Sequence, residues 1–404
     1  MERAKLVILG GGMVAGYAAK QLVDLGMSSG DLAIVSADDE LPYERPPLSK
    51  GFLAGKDTQE SIRISPPEFY VEHGIDVRLN CEIESVDPGA RRLHMKQGPD
   101  LGFDKLVVAT GARVRTFSVP GADLAGIHYL RSMDDSRSIR EHAGTARRAA
   151  VVGGGFIGME VASVLAQKGI ETALILRSDR IWDQFFTPQM SQFFENWYTA
   201  RGVKFERNTS VESFGGAGAV NSVRLAGGRA IPADLVVAGI GVQPVTGFLA
   251  SSGLELSDGV VVNEYLETNK AGIYAAGDVA NYYDSLFGKR RRVEHWDNAV
   301  SQGQHCARLL MGDRQPFRHV PYFFSDVFDL SYEFWGDTSG ADQVVARGDT
   351  ATPSFSVWWL RGQQLVAAFV MNRPDDERAA APQWIESKRQ VAARDLGEAS
   401  RPLS

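Results

Sequence analysis

Two glycine turns of the same spelling constrain this chain more than any other feature: Gly10-x-Gly12-x-x-Ala15 near its start and Gly153-x-Gly155-x-x-Gly158 further on. The first follows the apolar run Lys5 to Leu9, too short for a helix, and precedes VAGYAAKQLVDLG, whose apolar residues recur at helical period. Leu32 to Val35 supplies the next strand, so strand, turn, helix and strand make one βαβ unit. AAVVGGGFIGMEVASVLAQKG followed by TALIL repeats the pattern. In such a turn the first glycine makes the bend, the second lets backbone approach a pyrophosphate, and a small third residue lets the helix pack on the strand. Amides at the helix N-terminus then face the phosphates. Two separate dinucleotide sites are expected.

At 404 residues the chain exceeds one core, and two or three domains are expected. Leu106 to Ala109 before Thr110-Gly111, and Leu235 to Ala238 before Gly239, read as buried strands, each ending a nucleotide-binding lobe. GIYAAGDVA, Gly272 to Ala280, reads as a further strand, and FSVWWL and QLVAAFVM suggest a C-terminal antiparallel layer with a helix. The polar tail after Asp395 reads as loose. The expected fold class is α/β, with two Rossmann-type dinucleotide-binding domains and a C-terminal α+β domain.

Composition narrows the function. No apolar run approaches the roughly 18 residues of a membrane span, and the N-terminus enters a strand without a signal-peptide pattern, so a cytoplasmic address is expected. A net charge of -7 would repel phosphate backbones, which argues against nucleic acid as a partner. Cys81 and Cys306 lie far apart and read as buried free thiols. The seven histidines form no H-x-x-x-H pattern or Cys/His cluster, so no metal is expected.

Two nucleotide sites in one chain suit an enzyme that moves hydride from a diffusing nicotinamide to a held flavin, which can store two electrons and release them singly. The acid for a ribose hydroxyl in the first site is sought in SADDE; Asp38 is the choice, with Asp39 and Glu40 as alternatives. After TALIL the sequence reads Arg177-Ser178-Asp179-Arg180, where arginines favour the 2'-phosphate of NADPH over the free hydroxyl of NADH.

The stretches ILGGGMVAGYAA, PYERPPLSK, VVATGAR, VVGGGFIGMEVAS, IYAAGDVA and RRVEHWDNAVSQG, in this order, resemble the FAD-dependent pyridine nucleotide oxidoreductases. Within them the likeness is to the branch of ferredoxin reductases, monodehydroascorbate reductases and apoptosis-inducing factor, with its glutathione-reductase-like fold. The resemblance implies a discontinuous FAD-binding domain, 1–115 and 242–317, an inserted NAD(P)H-binding domain, 116–241, and a C-terminal domain, 318–404. It also implies that FAD is held by Gly10, Gly12, Met13, Val14, Ala15, Asp38, Arg45, Lys50, Thr110, Gly111, Arg113, Asp278, Glu294, His295 and Trp296. NAD(P)H falls to Gly153, Gly155, Phe156, Ile157, Gly158, Glu160, Arg177, Arg180 and Gly241. Lys50, near the flavin N5 edge and paired with Glu160, would favour the reduced anionic flavin. No base role for His295 is implied, because hydride transfer needs none.

Disulfide reductases of the wider family carry two cysteines beside the flavin, where this chain has PYERPPLSK, so electrons must leave from the flavin itself. Where plant monodehydroascorbate reductases carry an arginine and a tyrosine linked to ascorbate, this chain has Asp326 and Trp358. Asp326 instead matches the WSD-type stretch of bacterial ferredoxin reductases. The basic run Lys289-Arg290-Arg291-Arg292 could dock an acidic ferredoxin. The expected acceptor is therefore a ferredoxin-type carrier; the alternatives are a small radical or quinone, or a redox-sensing interaction protein like apoptosis-inducing factor. Oligomeric state is left open.

Overall fold

The computed structural model describes residues 2–398 and Leu403. The chain divides into two compact units, each assembled from separate stretches of sequence. The first unit comprises residues 1–45, 59–113 and 242–321; the second comprises 46–58, 114–241 and 322–404.

A sheet in the order Asp76–Arg78, Leu32–Val35, Glu2–Leu9, Leu101–Val108 centres the first unit. All four strands are parallel, and Ile273–Ala275 extends the parallel set beside Leu106 to Val108. The antiparallel hairpin of Ile83–Asp87 and Arg92–Met95 pairs only with the start of Leu101–Val108. Strand LAIV is buried throughout, because a parallel sheet covered on both faces leaves no position for a polar side chain. Each such valine or isoleucine contributes roughly 1.5–3 kcal/mol. Leu9 lies opposite both Val35 and Val108, and Val108 opposite Ala275, so the carboxyl ends finish level. The turns at Gly10, Ser36, Ala109 and Ala276 therefore leave the sheet along one rim, the rim where open α/β sheets bind ligands.

The expected single strand Gly272 to Ala280 is not continuous. It stops at Ala275, turns through Gly277–Val279 with Gly277 at φ +77°, and resumes as Ala280–Asp284. A left-handed glycine cannot continue a strand, and the break lifts Asp278 onto the rim.

In the second unit a parallel sheet runs Lys204–Glu206, Glu171–Ile175, Arg148–Val152, Leu235–Ala238, Ile127–Tyr129. Residues 211–232 add a three-stranded antiparallel sheet that the sequence did not announce. A five-stranded antiparallel sheet ordered Tyr322–Val327, Leu330–Gly336, Gln364–Met371, Phe355–Arg361, Gln343–Gly348 forms the C-terminal layer, with helix Asp375–Glu386. The chain past Asp395 is not loose where it is described. Ala393–Gly397 is helical, Leu396 is buried, and the buried Arg347 donates to the carbonyls of Leu396 at 2.6 Å and Glu398 at 3.1 Å. The Arg347 charge is compensated by Glu377, equally buried and 3.1 Å away. Residues 399–402 and 404 of the expected tail lie outside the described residues.

Candidate active site

The first glycine turn is forced by its surroundings. Gly10 has φ +126°, and a Cβ there would lie 2.1 Å from the Ala109 carbonyl oxygen. Helix Met13–Asp24 starts at Gly12 with no side-chain cap and no acid in its first turn, so its leading amides stay available to an anion. Met13, Val14 and Ala15 are buried behind that turn. These features fit a pyrophosphate.

Around this rim, Asp38 accepts from the Tyr43 hydroxyl at 3.2 Å and lies 3.5 Å from Arg45, whose guanidinium covers the Tyr43 ring. The alternatives separate: Glu40 is held by Gln59 at 2.6 Å, and Asp39 is exposed. Thr110 donates to the Val245 carbonyl at 2.8 Å, Gly111 sits at φ +64° and accepts from the Val245 amide, and Arg113 faces the Gln243 amide. The Gly277 amide beside Asp278 donates to Gln302 at 2.7 Å. Glu294 pairs with Arg292 at 2.5 Å. Desolvation, only partly offset by the Asp278 and Asp297 carboxylates, pulls the His295 imidazole down to about 4, so it is neutral near pH 7.

Sequence reasoning missed Glu44. One of its carboxylate oxygens accepts from the Tyr17 hydroxyl at 2.6 Å and the other from the Trp296 indole at 2.5 Å. Its presence inside PYERPPLSK, among residues with assigned roles, was the available signal.

The second unit holds the second turn, Gly153 at φ +112° with no room for a Cβ against the Gly239 carbonyl oxygen, 2.2 Å away. Helix Phe156–Gln167 likewise begins without a side-chain cap or an early acid. Phe156 packs on Phe185 and Phe323, Ile157 is partly exposed, and Gly241 adopts φ +95°. The two arginines of the expected phosphate reader part company. Arg177 is exposed, whereas Arg180 donates to the carbonyls of Phe186 and Asp183 and to the Ser191 hydroxyl, bracing the segment they occupy.

In the same unit Lys50 Nζ lies 2.7 Å from Glu160 Oε1, and the carboxylate is 4% exposed. The Ser325 hydroxyl donates to Oε1 at 2.6 Å, the Ser49 hydroxyl donates to Oε2, and the Lys50 ammonium stands over the Phe324 ring. Such a charge can stay buried because it is paired with a cation and both of its oxygens accept hydrogen bonds. Neither serine was foreseen, since a hydroxyl gives no pattern in sequence.

The basic run is paired with acids over only part of its length. Lys289–Arg291 is a strand paired with Ala280–Asp284. Arg290 donates to the Val262 and Asn281 carbonyls, Arg291 lies 3.1 Å from Asp284, and Arg292 pairs with Asp258 and Glu294. The side chains of Arg291 and Arg292 are only 11% exposed. Arg291 and Arg292 are thus paired with acids within the fold, whereas Arg290 is exposed and, among the described residues, bonds only carbonyls, so its charge faces outward uncompensated. Cys81 also differs from its reading as a buried thiol, being only half-buried, while Cys306 is buried and its thiol is pushed up to about 12 by desolvation.

Two uncapped glycine turns on parallel sheets, with a charged pair buried beside the second, define a two-nucleotide oxidoreductase. Residues 4–303 match the model of the pyridine nucleotide-disulphide oxidoreductases, and residues 322–404 match a reductase C-terminal domain. Peroxisomal monodehydroascorbate reductase 1 of Oryza sativa subsp. japonica is 34% identical, covering 99% of this chain and 89% of that protein. Rhodocoxin reductase of Rhodococcus erythropolis is 35% identical, covering 93% and 88%. Among solved structures, a chain of the covalent putidaredoxin reductase–putidaredoxin complex superposes with a TM-score of 0.95 at 30% identity, covering 100% of this chain and 98% of that one. The chain belongs to the pyridine nucleotide-disulphide oxidoreductase family and is an FAD-dependent NAD(P)H oxidoreductase.

Proposed function

We propose that this oxidoreductase passes electrons from NAD(P)H to a one-electron protein carrier of ferredoxin type. The observation that carries the reading is the likeness, over the whole chain, to a reductase solved in covalent complex with putidaredoxin. We assign 1–115 and 242–317 to FAD, 116–241 to the nicotinamide nucleotide and 318–404 to the C-terminal layer. The same reading keeps the cytoplasm as its place of action.

The Gly10 to Ala15 turn would hold the FAD pyrophosphate, Asp38 the ribose, Asp278 the ribityl chain, and Glu294, His295 and Trp296 the pyrimidine end. FAD when bound supplies hydride uptake and the release of electrons one at a time. Lys50 is aimed by Glu160, 2.7 Å away, and its positive charge favours negative charge developing on a reacting group. Ser49 and Ser325 hold the Glu160 carboxylate still, so Lys50 has one resting place. His295, neutral near pH 7, has no proton to give there and acts as a contact.

The monodehydroascorbate reductase relatives favour a second reading, reduction of a small radical or quinone. Against it, Trp358, at the position of an ascorbate-linked tyrosine, is fully buried and its indole donates to Ser356. The test is turnover of the FAD-loaded protein with NADH or NADPH against a ferredoxin, a quinone and ascorbyl radical. Ferredoxin reduction at least tenfold more efficient than the others supports the proposal; preference for ascorbyl radical or quinone overturns it. Little turnover with any acceptor, together with a long-lived charge-transfer band, would instead mark a redox-sensing interaction protein.

A further inference from the structure

Glu44 is a half-buried carboxylate that none of the roles above uses, and it joins three segments that each carry a candidate FAD contact. Its backbone is fixed first: the Glu44 amide donates to the Ile62 carbonyl at 2.8 Å, and Tyr43 forms a bridge with Arg63. Tyr17, its first donor, stands on the helix that begins at the glycine turn. Trp296, its second, is the first residue of helix Trp296–Leu310. The two helices are in close contact, since a Cβ on Gly303 would lie 2.7 Å from the Val14 carbonyl oxygen. The Tyr17 and Trp296 rings meet edge-on at 6.4 Å.

Both donors are neutral, and each occupies one of the two carboxylate oxygens. Desolvation and the Glu44 hydrogen bond push the Tyr17 phenol up, so it remains a donor wherever the protein is folded. An indole has a single N–H and no acceptor, and here that N–H is directed at the Glu44 carboxylate.

We propose that Glu44 is a positioning residue for the flavin site: its carboxylate locks the Trp296 indole, with Tyr17 as counter-anchor, in the orientation that meets the pyrimidine end of FAD. The inference rests on the reading of Trp296 as a flavin contact. If it is correct, Glu44 acts on FAD only through Trp296, and removing the carboxylate costs nothing further once the indole N–H is gone.

A double-mutant cycle on FAD binding tests this. Apoprotein of the full chain is titrated with FAD for wild type, Glu44→Ala, Trp296→Phe and the double variant, with the flavin's visible band recorded in each. Glu44→Ala is expected to weaken FAD binding about tenfold, the scale of one charge-assisted hydrogen bond, and to shift the visible band. Trp296→Phe should match it, and the double variant should be no weaker than either. Glu44→Gln, which keeps an acceptor for the indole and can donate to Tyr17, should recover most of the loss. If Glu44→Ala does not fold, Glu44→Met, similar in volume and unable to accept a carboxylate-type hydrogen bond, takes its place in the cycle. Losses that multiply in the double variant, or a Glu44 variant that binds FAD like wild type, overturn the proposal. Wild-type apoprotein that ignores FAD, or Trp296→Phe that binds it unchanged, overturns instead the site reading beneath it.

Discussion

The two glycine turns are nearly one object made twice, and what separates them is more instructive than what they share. Gly12 and Gly155 open their helices at φ -89° and -84°, and Gly10 and Gly153 bend at +126° and +112°. Each bending glycine has a carbonyl oxygen, of Ala109 or Gly239, where a side chain would begin. The third positions differ: Ala15 fits, fully buried, whereas a Cβ on Gly158 would lie 1.9 Å from the Gly153 carbonyl oxygen. The strands after the two helices differ as well, the first leading to an acid held by Tyr43 and Arg45, the second to an exposed arginine. The common part suits what all dinucleotides share, their pyrophosphate; the divergent part suits what distinguishes them.

The largest expected effect comes from breaking each turn separately. Gly10→Ala should yield protein with little FAD, and Gly153→Ala should stay yellow yet be reduced by NAD(P)H at least a hundredfold more slowly. Both place a methyl inside backbone contact distance at a left-handed φ, an overpacking of roughly 1–3 kcal/mol before strain is added. Flavin content and stopped-flow reduction read the two outcomes. A Gly153→Ala protein that lost FAD, beside a Gly10→Ala protein that stayed yellow and was reduced slowly, would reverse the assignment of the turns.

Acid should weaken both units as pH falls below the ordinary histidine value. His295 in the first is pulled down to about 4, and His128 in the second is also lowered, by desolvation and then by His142, whose Nδ1 is 3.0 Å away. A lowered folded-state pKa means the unfolded chain takes up the proton first. The stability each neutral histidine carries is therefore intact above the ordinary histidine value of about 6.5 and, for His295, is lost as pH falls from there toward about 4. The His295 share is on the order of 3 kcal/mol. Urea midpoints measured across this range should fall more steeply for wild type than for His295→Asn, and equal slopes would remove His295 from the account.

Next in size is Lys50→Met, expected to slow flavin reduction about a hundredfold, the scale on which loss of one preorganised electrostatic contact acts. Melting should also fall, because the buried Glu160 carboxylate keeps its Ser49 and Ser325 donors but loses its cation, so the reduction rate is compared on folded, FAD-loaded protein. Unchanged reduction kinetics would leave the pair as a purely structural tie.

Legibility in the sequence followed locality. The glycine turns and their strands could be read because a φ near +120° beside a carbonyl admits only glycine, a constraint written at one position. The closeness of Lys50 and Glu160 was implied by resemblance, while the two serines that complete the Glu160 shell came from residues 49 and 325 and left no periodic trace. Glu44 was hidden for a similar reason, since its two donors lie at positions 17 and 296. Charge is visible in a sequence while its pairing is not; Asp258, Asp284 and Glu294 meet Arg291 and Arg292 of the basic run only after folding, and Arg290 stays exposed. Arg180 looked like Arg177 for the same reason until its carbonyl partners were in view.

The smallest effect, and the finest test of the divergent part, concerns Arg177. It is exposed at the end of strand Glu171–Ile175, where the second ribose is expected, while Arg180 is occupied in bracing residues 183–191. If Arg177 reads a 2'-phosphate, Arg177→Glu should move preference from NADPH toward NADH by about ten- to hundredfold, since a hydrogen bond to a charged group contributes roughly 1.5–3 kcal/mol. Arg180→Ala should behave differently, lowering melting temperature and weakening both nucleotides alike, because it acts through the segment it holds. The ratio of kcat/KM for NADPH to that for NADH separates the two, since a uniform loss cancels in the ratio and a phosphate contact does not. A wild-type enzyme that already prefers NADH strongly, or an Arg177→Glu variant with an unchanged ratio, would show that the exposed arginine is a solvated surface charge and that Asp179 or the backbone of this turn sets the preference.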